Sequence, residues 1–282
     1  MKSILISFFV FLSIISVAQE EFVSEKKHQK GKIYIYWGWN RAFFSNSDIH
    51  FSGSDHDFTL SNVVAHDRQT PFSLDPYFNP ARVSIPQTNF RIGYFISDKW
   101  EISIGVDHMK YVMDQNQYVA INGSISTADT EFNGIYNGEE IQLTEDFLTF
   151  EHTDGLNYAN IELNRFENIF QFNEISKVNI DINVLGGFGA GLLYPKSNVM
   201  LFGKNRNDEF HTAGFGLSAK VGFNITFWDY FFLQNEYKVG YINMPDILTS
   251  TVSDYKADQQ FSYFQMNIVF GAIFPIVKSE KK

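Results

Sequence analysis

Seven charged residues fall on the polar parity of segments whose alternate positions are apolar: Arg91, Glu101, Asp107, Asp181, Lys220, Glu236 and Lys238. In an extended chain, positions two apart share a face. These charges would therefore meet one another rather than bulk water, and a buried charge without a partner is costly. Two chemistries fit the pattern. One is a closed salt-bridge network of both signs. The other is a polar path for protons or small solutes. Asn89, Ser103, Asn179, Asn183, Asn224 and Gln234 share the parity of the charges and would serve either.

A second set is acidic. Residues 114–155 hold nine Asp or Glu and no Lys or Arg. Asp129, Glu131, Glu139, Glu140, Glu145 and Asp146 form its centre, a candidate binding surface for a cationic partner. Oxygen ligands at this density also suit Ca²⁺ or Mg²⁺, but the spacing of a calcium loop is missing, so no resident cofactor is expected. A solvated acidic surface is the plainer reading. An earlier stretch carries Asp48, His50, Asp55, His56, Asp57, His66 and Asp67, and there His with Asp could hold a transition metal. His108 and His211 (followed by Thr212) are candidate bases for acyl transfer. Such chemistry needs a nucleophile within hydrogen-bond reach, and neither has an obvious Ser and acid beside it. Gly186, Gly187, Gly189 and Gly191 lie inside a strand pattern with no helix after them, so a nucleotide loop is excluded; they would allow bending or make room for other side chains. The formal charge of −10 argues against nucleic acid, and the absence of cysteine removes thiol chemistry.

The elements that position these residues are strands. From Thr212 to Phe227 one parity reads Ala, Phe, Leu, Ala, Val, Phe, Ile, Phe and the other Thr, Gly, Gly, Ser, Lys, Gly, Asn, Thr. An apolar face that long on a two-faced strand suits a membrane barrel, with lipid on one side and a polar lumen on the other. Eight such stretches are expected: 33–43, 84–96, 100–112, 156–172, 177–193, 212–227, 231–243 and 261–276. The fourth has conflicting parities, Ala159, Ile161 and Leu163 against Phe166, Phe170 and Phe172. A bulge near Asn164 would reconcile them and keep Arg165 and Glu167 out of lipid. Three tight turns then fall at one end with both termini. The connections at the other end are longer, about 45–83, 114–155, 194–209 and 245–260. Val119-Ala120-Ile121 and Ile141-Gln142-Leu143 hint at strands projecting above the membrane; as membrane strands they would raise the count to ten. The 17% aromatic content suits girdles at the two interfaces. Residues 1–18 read as a signal peptide, with Lys2, an apolar run from Ile4 to Val17, and Ser16-Val17-Ala18 before a cut at Gln19.

Gly271-Ala272-Ile273-Phe274-Pro275-Ile276 resembles the terminal-strand signal read by the barrel assembly machinery, although Phe270 precedes it and six residues follow. Gly31–Arg41, Gly105–Val112 and Gly240–Ile247, with the Ala-Gln cleavage site, are similar to uncharacterised outer-membrane β-barrel proteins of Bacteroidota (flavobacterial type). The resemblance implies fold and an outer-membrane location, with outer-membrane lipid and lipopolysaccharide as surroundings, and it brings no activity. The expectation is an all-β, antiparallel up-and-down transmembrane barrel over residues 19–282, of eight strands, with long extracellular loops. Three function classes stay open: a surface-interaction protein acting through its acidic loops, a narrow channel, and a lipid-modifying enzyme.

Overall fold

The computed structural model describes residues 28–82, 85–128, 130–172, 179–204, 206–251 and 254–276. The signal-peptide expectation and Asp129 lie outside them. The chain is almost entirely strand: β1 (Lys32–Phe44), β2 (Ser47–Gly53), β3 (His56–Val63), β4 (Ala65–His66), β5 (Thr88–Phe95), β6 (Trp100–Met113), β7 (Tyr118–Ile125), β8 (Gly134–Gln142), β9 (Leu148–Phe172), β10 (Ile180–Leu193), β11 (Lys196–Leu201), β12 (Asn207–Phe210), β13 (Gly214–Phe227), β14 (Phe231–Leu248) and β15 (Lys256–Pro275), with a short helix α1 (Leu74–Tyr77).

Eight strands close a ring in the order β1-β5-β6-β9-β10-β13-β14-β15, and β15 pairs back onto β1 from Lys32↔Pro275 to Phe44↔Tyr263. Every ring contact is antiparallel. The alternation explains why a ring forms. Along β13 Phe215, Leu217, Val221 and Phe223 face outward, with Val221 62% exposed, while Ser218, Lys220, Asn224 and Thr226 are buried inside. A one-residue slip would exchange the two faces, so the pattern fixes register. Phe90 stands opposite Val106, Asn89 opposite Asp107 and Lys220 opposite Lys238, as expected from the turns.

The ring has eight strands, as expected, and not ten: β7, which holds Val119–Ile121, pairs with β3 and with β8, which holds Ile141 and Gln142, above the ring. One expectation changes. The irregularity in β9 is not at Asn164. Ile182 pairs with Phe170 and Asn183 with Asn168, so Ile169 is the extra residue. Arg165 therefore points outward after all. It sits at the tight-turn end, its guanidinium 5.6 Å from the Trp100 ring and ion-paired with Glu167, which Lys99 also reaches at 2.7 Å. An interfacial charge of this kind keeps its head in the polar layer.

At the other end β6, β9, β14 and β15 run on past the apolar belt, and the four connections fold into one cap. Its core draws on three of them and on the extended strands: Phe51 and Phe58 from the first, Ile121 and Phe147 from the second, Phe202 from the third and Ile247 from strand β14. The cap sheet runs β15-β2-β3-β7-β8. At its free edge Gly138, with φ +96°, is an extra residue between Asn137 and Glu139, and Glu139 and Glu140 follow. A bulge and paired charges there discourage edge-to-edge strand addition.

Candidate functional site

Five of the seven inward charges come together at mid-barrel, around a residue that parity reading did not include. Glu162 of β9 contacts Arg91 at 2.9 Å, Lys220 at 2.7 Å and Lys238 at 2.8 Å. Lys220 also pairs with Glu236 at 2.7 Å, and Lys238 with Asp107. Arg91 is 4.0 Å from Asp107. Three cations thus face three carboxylates, and all six residues are buried. Strand geometry makes the cluster. Glu162 lies opposite Ser103 on one side and Gly189 on the other. A Cβ at Gly189 would sit 2.8 Å from the Glu162 Cγ, so the glycine provides the space for the central acid. The conflicting parities of the fourth strand hid Glu162. Its spacing from Asn160 and Asn164 was the available signal.

Neutral groups complete the layer. Arg91 donates to the Tyr36 hydroxyl at 3.0 Å, to Ser103 at 3.3 Å and to Asn160 at 2.6 Å. Asn89 donates to Asp107 at 2.8 Å. Glu236 accepts from Gln234 at 2.7 Å and Asn267 at 3.0 Å. The other two expected members stand aside. Glu101 accepts from the Asn164 amide and makes no ion pair within 4.0 Å among the described residues. Asp181 lies further toward the tight-turn end, opposite Thr226 and Gln171. There the lumen opens as a vestibule of about 580 Å³, walled by Tyr34, Phe95, Phe166 and Phe232 on one side and by Asn183, Asn224 and Gln234 on the other. Amides link it to the charges in sequence: Asn168 donates to Asn183, Asn183 to Asn224 and Asn224 to Gln234. Above the charge layer Tyr158 and Tyr263 lead straight into the apolar core of the cap.

All the histidines but His28, which meets Asp98 at the tight-turn end, lie toward the cap. His50 bridges two carboxylates on neighbouring strands, Asp258 at 2.7 Å and Asp57 at 3.1 Å. Partial burial opposes its protonation, but those two hydrogen bonds outweigh burial and raise its pKa. His56 bonds Asp55 at 2.9 Å; burial is the larger effect and lowers its pKa. Asp55 also takes Lys204 at 2.9 Å, which ties the first connection to the third. His66 meets Asp114. His152 is fully buried between Tyr111 and Phe150 and bonds the Ser197 hydroxyl at 2.9 Å; desolvation pushes its pKa down to about 3. The two candidate bases are likewise occupied, His108 by Asn157 at 2.8 Å and His211 by Asp246 at 2.8 Å. Histidine therefore stitches the connections together. Among the described residues no three His, Asp or Glu converge as metal ligands. Glu131, Glu139, Glu140, Glu145 and Asp146 are exposed and make no ion pair among the described residues, an acidic excess on the cap surface.

An apolar exterior, a polar filled interior, eight antiparallel strands and short turns at one end define a transmembrane β-barrel of the outer-membrane class. No family model matches the sequence, and no curated protein does. Among solved structures, the chain is similar to the outer membrane protein OprG from Pseudomonas aeruginosa at 12% identity and TM-score 0.40, covering 89% of this chain and 99% of that one. It is similar to Ail, the attachment invasion locus protein of Yersinia pestis, at 10% identity and TM-score 0.33, covering 87% and 99%. Neisserial surface protein A matches at 11% identity and TM-score 0.29, covering 86% and 99%. Likeness at this level transfers no site.

Proposed function

We propose that this chain is an exported outer-membrane protein of a Gram-negative bacterium, of the Bacteroidota type, whose barrel carries a rigid extracellular cap that binds a cationic surface partner. One observation carries the reading: the cap has an apolar core of its own, built from three outer connections and the extended ends of β14 and β15. A barrel needs only short turns to close, and ordered loops on a rigid scaffold commonly serve binding. The lumen favours this over conduction, because its centre is filled by paired charges and its outer end by buried rings. The acidic face supplies the chemistry. Glu131, Glu139, Glu140, Glu145 and Asp146 would attract a basic polypeptide, or divalent ions bridging lipopolysaccharide phosphates. The barrel assembly machinery is the expected partner in biogenesis.

The test has two arms. In planar bilayers the purified protein should give no steady conductance; a stable open state would place it among channels. Reconstituted protein should bind poly-lysine in a salt-sensitive way, and calcium chloride should compete. Replacing the five acids by their amides should abolish binding while the barrel stays heat-modifiable in gels. Unchanged binding would reject the acidic face as the site.

A further inference from the structure

The first connection does not stay within the cap. Asp67 and Gln87 close the gap above the short strand β5, where the Asp67 carboxylate accepts from the Ala42 amide at 3.0 Å and from the Gln69 and Gln87 side chains. Between them residues 70–82 and Ile85 lie outside the barrel wall. The rings of Tyr77 and Phe78 rest on outward-facing Trp39, with centroids 5.7 and 5.0 Å away. Trp39 in turn packs on Trp37 and Phe270 of the lipid-facing belt, at 5.4 and 5.7 Å. The excursion is apolar on its free side: Phe72 is 72% exposed and Leu74 74%, and Phe78 and Ile85 are exposed too. Large apolar side chains grouped in this way mark a contact surface, and this surface continues the belt.

The wall beside it is positive, on a chain whose net charge is −10. Arg41 lies two residues beyond Trp39 on the same outward face of β1. Lys110 lies across the gap on β6, its ammonium donating to the Ile85 carbonyl at 2.6 Å. Neither has a carboxylate within 4.0 Å among the described residues, whereas Arg68 pairs with Glu151 at 3.0 Å and Arg82 with Asp75 at 3.1 Å. Asp67, which both cations influence at longer range, is already engaged by amides.

We propose that residues 70–82, with Ile85, form a foot lying in the outer leaflet, and that with Arg41 and Lys110 it holds a phosphorylated glycolipid of that leaflet. The acyl chains would cover Phe72, Leu74 and Phe78. The phosphate would sit on Arg41, with Lys110 behind it adding charge and fixing Ile85. The proposal rests on the outer-membrane reading above, and the test separates the two.

The chain has no cysteine, so single labels are unambiguous. Spin labels on Leu74→Cys, Ile268→Cys and Ile135→Cys are compared in nanodiscs containing lipid A. Labels at 74 and 268 should be more accessible to oxygen than to a water-soluble nickel chelate, and 135 the reverse. Arg41→Gln with Lys110→Gln should lower retained lipid A at least fivefold, with phosphatidylcholine retention unchanged. A label at 74 that follows 135 while 268 stays in lipid would overturn the foot and leave the barrel intact. If 268 also faces water, both readings fall. Equal lipid A retention by the double variant would overturn the phosphate contact.

Discussion

Removing the carboxylate at the centre of the lumen tests whether the charge layer is a dry network. In Glu162→Gln the side chain keeps its shape, but Arg91, Lys220 and Lys238 lose an anion that lies 2.7–2.9 Å from each of them. Asp107 and Glu236 remain, so one buried positive charge is uncompensated. At an effective dielectric of about 20, each lost contact is a gross attraction of roughly 6 kcal/mol. Most of that is offset by the cost of burying the carboxylate. The net loss expected for breaking such a cluster is about 3–5 kcal/mol. Glu101→Gln is the control: Glu101 meets Asn164 and no cation within 4.0 Å among the described residues, so about 1 kcal/mol is expected. Glu162→Gln with Lys238→Met restores charge balance and should regain part of the loss. Urea unfolding in lipid vesicles, followed by tryptophan emission and gel mobility, reads all four proteins. If Glu162→Gln lies within about 0.5 kcal/mol of the parent while folding as a barrel, the charges are hydrated and the closed-lumen argument fails.

Acid should loosen the cap before the barrel. The unfolded chain protonates His152 below its ordinary pKa of 6.5, but the folded chain resists until about 3. Between those values the unfolded state binds the extra proton, so stability is full above 6.5 and declines as pH falls, by at most about 4–5 kcal/mol. Hydrogen exchange of β9 and β11 at pH 7 and pH 4.5 should show this, and His152→Phe with Ser197→Ala should flatten it; an equal pH response in that variant would refute the assignment. Val221→Arg, on the lipid face at mid-belt, should cost about 2–4 kcal/mol in bilayers, whereas a neutral cost would mean the faces are reversed. Mass spectrometry of the exported protein should find Gln19 at its N-terminus, and a retained leader would reject the cleavage site.

Period-two alternation was legible because a barrel strand meets two different solvents, and the ring, its tight turns and five of the six central charges follow from parity and turn length alone. Phe90 opposite Val106 and Lys220 opposite Lys238 needed no more than that. Glu162 was obscured: a bulge at Ile169 exchanges the two faces of its strand, so parity counted back from Phe170 and Phe172 turns it outward, and only its spacing from Asn160 and Asn164 marks it as inward. The projecting strands of the cap were legible in outline, but its shared core was not. Phe51, Ile121, Phe147, Phe202 and Ile247 stand far apart in the sequence among polar neighbours, and no local period links them. The same holds for His50 between Asp57 and Asp258, and for the foot resting on Trp39. By itself the sequence determined which residues face lipid and which face the lumen on every ring strand but β9, since that choice is made one strand at a time. Only tertiary structure decided which charges meet and that the loops share a core, because those contacts join segments whose relative placement depends on closing the ring.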